Sequence, residues 1–249
     1  MRLLLLAGTW EARQIAAALT REPRVNAIVS LARAERRPEA FGVATRIGGF
    51  GGDAGFSDWV ARERIDGIID ATHPFAVQIS HRTSQIADNL GVDYIQFLRP
   101  AWLPEPGDDW TFLNTEADAA KHIPDGARVF LATGRRGLDA FATLQDVTLF
   151  CRRTDAFEEP FPFSNGIYVM GRPPFSVPQE VGTFSRLGID WLVARNSGGT
   201  ASRAKLEAAR TLGIKVAMIR RPPQPPGPKV ETVAEAMAWV RRRIQTSGG

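Results

Sequence analysis

Leu3-Leu4-Leu5-Leu6-Ala7-Gly8-Thr9-Trp10-Glu11-Ala12-Arg13 contains the decisive transition, in which an apolar run closes on small residues and passes at once into helical spacing. So short a run, ended by Gly8-Thr9, reads as a buried strand over 3–7 feeding a helix over 11–19. The alternation continues outward. Strands are predicted over 25–31, 44–47, 67–70 and 94–98 with helices over 56–64 and 77–90, the pattern of a parallel sheet wrapped by helices. That half, residues 1–99, has the length of one domain. Pro100, Pro104, Pro106 and Gly107 then exclude helix and central strand, which predicts a linker. The alternation resumes with strands over 128–132, 148–152, 167–170, 191–194 and 216–219, and with helices over 116–122, 137–141, 178–187 and 202–212. Pro222-Pro223-Gln224-Pro225-Pro226-Gly227-Pro228 reads as a stiff spacer before a last helix over 233–244. The expected fold is α/β: two Rossmann-like domains, 1–99 and 100–249, each with a parallel sheet, and a cleft between them.

Composition excludes several classes. At 249 residues, 44% hydrophobic and 23% charged, the chain is neither disordered nor a charged coiled coil. The apolar run at the start spans six residues against the roughly 20 of a membrane helix, so no membrane span is expected. No signal-peptide pattern surrounds it, and a soluble, cytoplasmic protein is expected. Cys151 is the only cysteine, and His73, His81 and His122 lack zinc-ligand spacing, so neither a disulfide nor a metal is expected. Of 31 basic residues 27 are arginine, whose planar fork suits phosphates and carboxylates. The densest clusters, such as Arg36-Arg37 and Arg241-Arg242-Arg243, lack interleaved aromatics, and nucleic acid is not an expected partner.

Chemistry is expected at the carboxyl edge of each sheet, where open α/β sheets bind ligands. Gly8, Thr9 and Trp10 form a small-residue turn opening a helix, where backbone N–H groups can approach a phosphate, and Arg13 lies one helical turn on. The turn lacks the full three-glycine dinucleotide fingerprint, so a plain tight connection fits the same residues. The second strand ends in Ser30-Leu31-Ala32-Arg33, where an acidic residue would hold a ribose 2′-hydroxyl. Arg33 in that region accommodates a 2′-phosphate and favours NADPH over NADH. Gly48 and Gly49 follow the third strand, and Asp70-Ala71-Thr72-His73-Pro74-Phe75-Ala76 follows the fourth, with Pro74 holding His73 extended. In the second half, Arg195-Asn196-Ser197-Gly198-Gly199 precedes the helix with Lys205, and Thr133-Gly134-Arg135-Arg136 follows another strand. Backbone donors and cations there suit a carboxylate-rich ligand, and a helix-capping loop with Ser197 or Ser202 as cap reads from the same residues.

Leu5-Leu6-Ala7-Gly8-Thr9-Trp10-Glu11-Ala12-Arg13 resembles the opening Gly-Gly-Thr-x-Glu-Ala motif of the precorrin-6A reductases of cobalamin (vitamin B12) biosynthesis. The segment from Asp70 to Ala76 is similar to their central motif. Asn196-Ser197-Gly198-Gly199, Lys205-Leu206, Ala208-Ala209, Gly213-Ile214 and Arg221-Pro222 resemble their C-terminal signature. Ala7 replaces the first glycine, and Gly171-Arg172-Pro173-Pro174-Phe175 departs from the usual Gly-Pro-Phe. The resemblance implies NADPH-dependent reduction of the double bond between C18 and C19 of precorrin-6A, giving precorrin-6B without metal or flavin. It also implies that the first domain holds NADPH and that the second binds the tetrapyrrole, through the two turns already named and Lys205. The substrate's many carboxylates give the arginine excess a use. No residue stands out as a proton donor. A nucleotide-sugar transferase and a non-catalytic nucleotide-sensing module are the alternatives.

Overall fold

The computed structural model describes residues 1–32, 41–134, 137–153 and 160–246. It divides into two units, Met1–Pro100 with Pro222–Gly249, and Ala101–Arg221. The first contains strands β1 (Arg2–Leu6), β2 (Asn26–Leu31), β3 (Ala44–Ile47), β4 (Gly67–Asp70) and β5 (Asp93–Phe97), with helices α1 (Trp10–Leu19), α2 (Gly52–Arg62) and α3 (Val77–Leu90). The second contains β6 (Trp110–Leu113), β7 (Arg128–Leu131), β8 (Thr148–Arg153), β9 (Gly166–Met170), β10 (Trp191–Arg195) and β11 (Lys215–Ile219), with α4 (Val177–Leu187) and α5 (Ala204–Leu212). The chain then returns to the first unit with β12 (Lys229–Val230) and α6 (Val233–Thr246). The sheets are parallel throughout and run β12-β5-β4-β1-β2-β3 and β6-β11-β10-β7-β8-β9. Read outward from β1 and from β7, both follow the doubly wound order of dinucleotide-binding sheets.

The leucine run supplies both faces of the first sheet, because successive strand residues point to opposite sides. Leu3 and Leu5 join Ile15 and Leu19 of α1 and Trp239 and Val240 of α6, whereas Leu4 and Leu6 join Phe56 and Val60 of α2 and Ile86 and Ala87 of α3. A strand covered on both faces reads as continuously apolar, which is why the run shows no alternation. In the second unit, Leu192 and Ala194 of β10 pack with Phe184 of α4 and Leu206 of α5.

Several expectations are corrected. Residues 222–249 were assigned by sequence to the second domain, yet β12 pairs with β5 and α6 packs on α1. The sixth strand of each sheet follows the fifth strand of the other. Strand β6 was not foreseen because only four residues follow the proline-rich stretch, and β12 has only two. The segments Glu116–Lys121 and Leu138–Phe141 are 3₁₀ rather than α-helical, in keeping with their shortness. Helix α2 starts four residues earlier than predicted, after Gly51 turns the chain at φ +81°. Gly55 is required there, since a Cβ would collide with the Phe50 carbonyl oxygen. Among the described residues no helix is long and apolar enough to cross a membrane, and no group of three His, Cys, Asp or Glu could hold a metal ion.

Trp239 is buried in the first unit's core, and its indole N–H has no acceptor among the described residues. Trp239→Ala should therefore lower the stability of that unit by about 3–5 kcal/mol, whereas Trp239→Phe should cost far less because it also removes an unsatisfied donor. Urea unfolding of the full-length variants measures both.

Candidate functional site

In the first sheet the winding reverses between β1 and β4, whose last residues Leu6 and Asp70 are register partners. Thr9 spans the resulting split: its Oγ1 accepts from the Ala12 amide (3.2 Å), capping α1, and donates to the Ala71 carbonyl (2.9 Å). The Gly8 and Thr9 amides donate to no acceptor among the described residues, so the split presents free N–H groups at a helix N-terminus. A Cβ on Gly8 would come no closer than 4.0 Å to any other residue, leaving the space above the turn open. Trp10 stands beside it, 58% exposed. Glu11 is held by Arg99 at 2.6 Å.

Buried Asp70 shapes the facing loop. Its Oδ1 accepts from the Thr72 amide (3.0 Å) and hydroxyl (2.7 Å), and its Oδ2 accepts from the Tyr94 hydroxyl (3.1 Å). Burial, then the Asp70 charge, then that hydrogen bond hold the Tyr94 phenol well above its ordinary range, so Tyr94 remains a donor. His73 accepts from the Phe75 amide through Nδ1 (3.3 Å), which assigns its proton to Nε2 when neutral. Gln224 donates to the Pro74 carbonyl (2.9 Å) and accepts from Gln96 (2.9 Å), while Pro223 and Pro226 carbonyls bond to His81 and Ser84 of α3. The expected spacer is thus anchored along its length and braces the Pro74 loop.

At the adjoining edge, Ser30, Ala32, Gly48 and Gly49 lie where β2 and β3 end, and the Gly48 amide donates to Leu31. Arg46, which sequence reasoning missed, donates to Ser30 Oγ (2.7 Å) and the Gly49 carbonyl (2.9 Å) and stacks on Phe50. Burial draws its guanidinium below the usual arginine value. Arg13 stacks on Phe41 instead of lying free in solvent. Arg33 and Arg135 lie outside the described residues.

The second sheet reverses between β7 and β10. Asn196 faces inward: its side chain accepts from the Trp102 amide (2.8 Å) and donates to the Trp102 carbonyl (2.9 Å), while Trp102 Nε1 donates to Gly199 (2.7 Å). Gly198 and Gly199 have φ of +66° and +77°, and Ser197 is buried. Arg195 pairs with Glu116 (2.8 Å) and also donates to the Thr133 carbonyl. Among the described residues the Thr133 hydroxyl is buried without a partner, and Gly134 is exposed. A cavity of about 230 Å³ beside Gly134 is lined by Phe130, Arg152, Phe175, Glu180 and Lys205. Arg152 forms a two-pronged bond to Glu180 (2.6 and 2.8 Å) and lies 3.9 Å from the Phe175 ring. That pairing consumes the carboxylate, and Lys205 has no hydrogen-bond or ion-pair partner among the described residues. Burial lowers its pKa, Glu180 raises it and Arg152 lowers it again, with a net shift below the ordinary lysine value. A lysine in the first turn of α5 also opposes the helix dipole. Burial pushes the Cys151 thiol up to about 11, which leaves it un-ionised and unreactive.

A family model described as Precorrin-6x reductase CbiJ/CobK matches residues 2–241. The chain is 45% identical over 241 residues to the precorrin-6A reductase of Rhodococcus erythropolis, covering 96% of this chain and 97% of that one. It is 40% identical over 242 residues to the precorrin-6A reductase of Mycobacterium tuberculosis, with 96% and 97% covered. The solved structure of CobK precorrin-6A reductase superposes with a TM-score of 0.90 at 37% identity, covering 97% of this chain and 96% of that one.

The Thr9 hydroxyl makes two bonds that valine cannot. Thr9→Val should lower stability by about 1–3 kcal/mol in chemical denaturation, and Thr9→Ser should recover most of it.

Proposed function

The chain belongs to the precorrin-6x reductase family and is an oxidoreductase that reduces precorrin-6A in cobalamin biosynthesis, and we propose that its first unit binds NADPH as the electron donor. The observation that carries this reading is the open space above Gly8, bordered by free amides at the split between β1 and β4. A dinucleotide diphosphate fits there, and the β4 loop with Thr72, His73 and Pro74 borders the side on which a nicotinamide would lie. Ser30, Ala32, Arg33, Gly48 and Gly49 belong to the adenosine side in the same proposal. When bound, the nucleotide supplies the hydride; the chain's own residues orient it and the acceptor carbon, here taken as one end of the double bond between C18 and C19. A cytoplasmic location, and a tetrapyrrole rather than nucleic acid or membrane as partner, belong to the proposal too.

We assign the tetrapyrrole to the second unit. The 230 Å³ cavity is too small for the macrocycle and suits a carboxylate arm, with the unpaired Lys205 as its counter-charge. Arg195, Asn196 and Ser197 then act mainly as supports, since Glu116 already balances Arg195 and Trp102 occupies the Asn196 amide. Gly134 borders that cavity, and Thr133, Arg135, Gly198 and Gly199 belong to the substrate side in the same proposal. The transferase and sensor alternatives find no support in the family match. Loss of reduced-nicotinamide absorbance on adding precorrin-6A tests the whole reading.

Gly8→Val should fold normally, because a Cβ there meets nothing closer than 4.0 Å, yet bind no NADPH in calorimetry. Lys205→Met should raise KM for precorrin-6A at unchanged NADPH affinity. In the native enzyme that KM should rise with pH through a midpoint below the ordinary lysine value of 10.5, because deprotonation removes the binding charge. Lys205→Arg, charged throughout, should flatten the rise, and steady-state kinetics across pH measures it.

A further inference from the structure

Arg46 is the penultimate residue of β3 and the register partner of Ser30 near the carboxyl end of β2, on the half of the sheet that receives the adenosine of a dinucleotide whose diphosphate sits over the turn between β1 and α1. Several other arginines of the first unit are ion-paired, among them Arg2 with Glu63, Arg82 with Asp53 and Arg99 with Glu11. Among the described residues Arg46 has no carboxylate partner, and its bonds go to neutral acceptors, Ser30 Oγ and the Gly49 carbonyl. Those two bonds leave Nε and one hydrogen on each terminal nitrogen for a ligand. The guanidinium lies 3.7 Å from the Phe50 ring centroid and 5.4 Å from that of Trp59, so its plane is fixed and one side is covered. Beside it, Gly48 and Gly49 have open space where a Cβ would stand. The described residues at this edge, 30–32 and 41–50, include neither Asp nor Glu that would accept a bond from a free ribose 2′-hydroxyl. The Ser30 hydroxyl already accepts from Arg46.

We infer that Arg46 is a specificity-determining residue for the 2′-phosphate of the dinucleotide, selecting it over the unphosphorylated form; the inference rests on the nucleotide reading above. A phosphate offers the anionic oxygens that the fork lacks, and a bare ribose offers nothing that repays desolvating the charge. Arg33 lies outside the described residues.

The test is fluorescence titration of full-length native protein, Arg46→Gln and Arg46→Lys with NADPH and with NADH, backed by displacement with 2′,5′-ADP and 5′-AMP. Arg46→Gln should weaken NADPH by about 10- to 100-fold and leave NADH unchanged, with Arg46→Lys intermediate. Unchanged NADH binding also reports that the variant is folded. Equal weakening of both nucleotides by both variants would show that Arg46 only supports the Gly49 turn and would overturn the inference. Native protein that prefers NADPH, with Arg46→Gln retaining the preference, would overturn it while leaving the NADPH reading intact. Native protein binding the two equally well would overturn both.

Discussion

Every strand of a parallel sheet must be carried back to the same edge by a crossover, and a sheet wound in two directions from its centre leaves one gap that no crossover covers. Both units depend on that gap. In the first it separates the turns after β1 and β4, and the Thr9 hydroxyl bridges them without filling the space. Asp70, buried at the last position of β4, fixes the opposite wall through Thr72 and Tyr94. The crevice therefore owes its shape to bonds the protein makes with itself, which pre-organises the Gly8 and Thr9 amides for an anion.

Charge pairing marks out what is structural. Arg152 with Glu180, Arg195 with Glu116 and Arg99 with Glu11 each cancel locally, at distances of 2.6–2.8 Å. Among the described residues Lys205 and Arg46 have no carboxylate partner, and each lies at the carboxyl edge of its own sheet, where a ligand anion can complete the balance. Because Glu180 spends both oxygens on Arg152, the three charged groups around the second unit's cavity sum to one positive charge.

The alternation of strands and helices was legible because it is a local property: Leu3 to Leu6 needed only their own apolarity and the turn at Gly8. The loop from Asp70 to Ala76 was legible for the same reason, as a small-residue segment closing a buried strand. Arg46 was not, because Ala44-Thr45-Arg46-Ile47 reads as an exposed strand, and the arginine acquires meaning only from Ser30 and from the aromatic rings it stacks on. Arg195 looked like a ligand for carboxylates until its partner Glu116, 79 residues away, came beside it. Asn196 likewise seemed open, whereas Trp102 takes both ends of its amide. The exchange of sixth strands was beyond reach, since four and two residues hold too little pattern to declare a partner sheet.

That exchange has a consequence for synthesis on the ribosome. Gln96 of β5 pairs with Lys229 of β12, so the outer edge of β5 stays bare while about 130 residues are made, roughly 6 to 27 s at about 5–20 residues per second. Strand β6 emerges within that interval, well before β11, its own partner, exists. A bare edge and an unclaimed strand are a ready mispairing. Pro100, Pro104 and Pro106 lie between them and donate no N–H, so at those positions the connecting segment offers no donor to extend the bare edge.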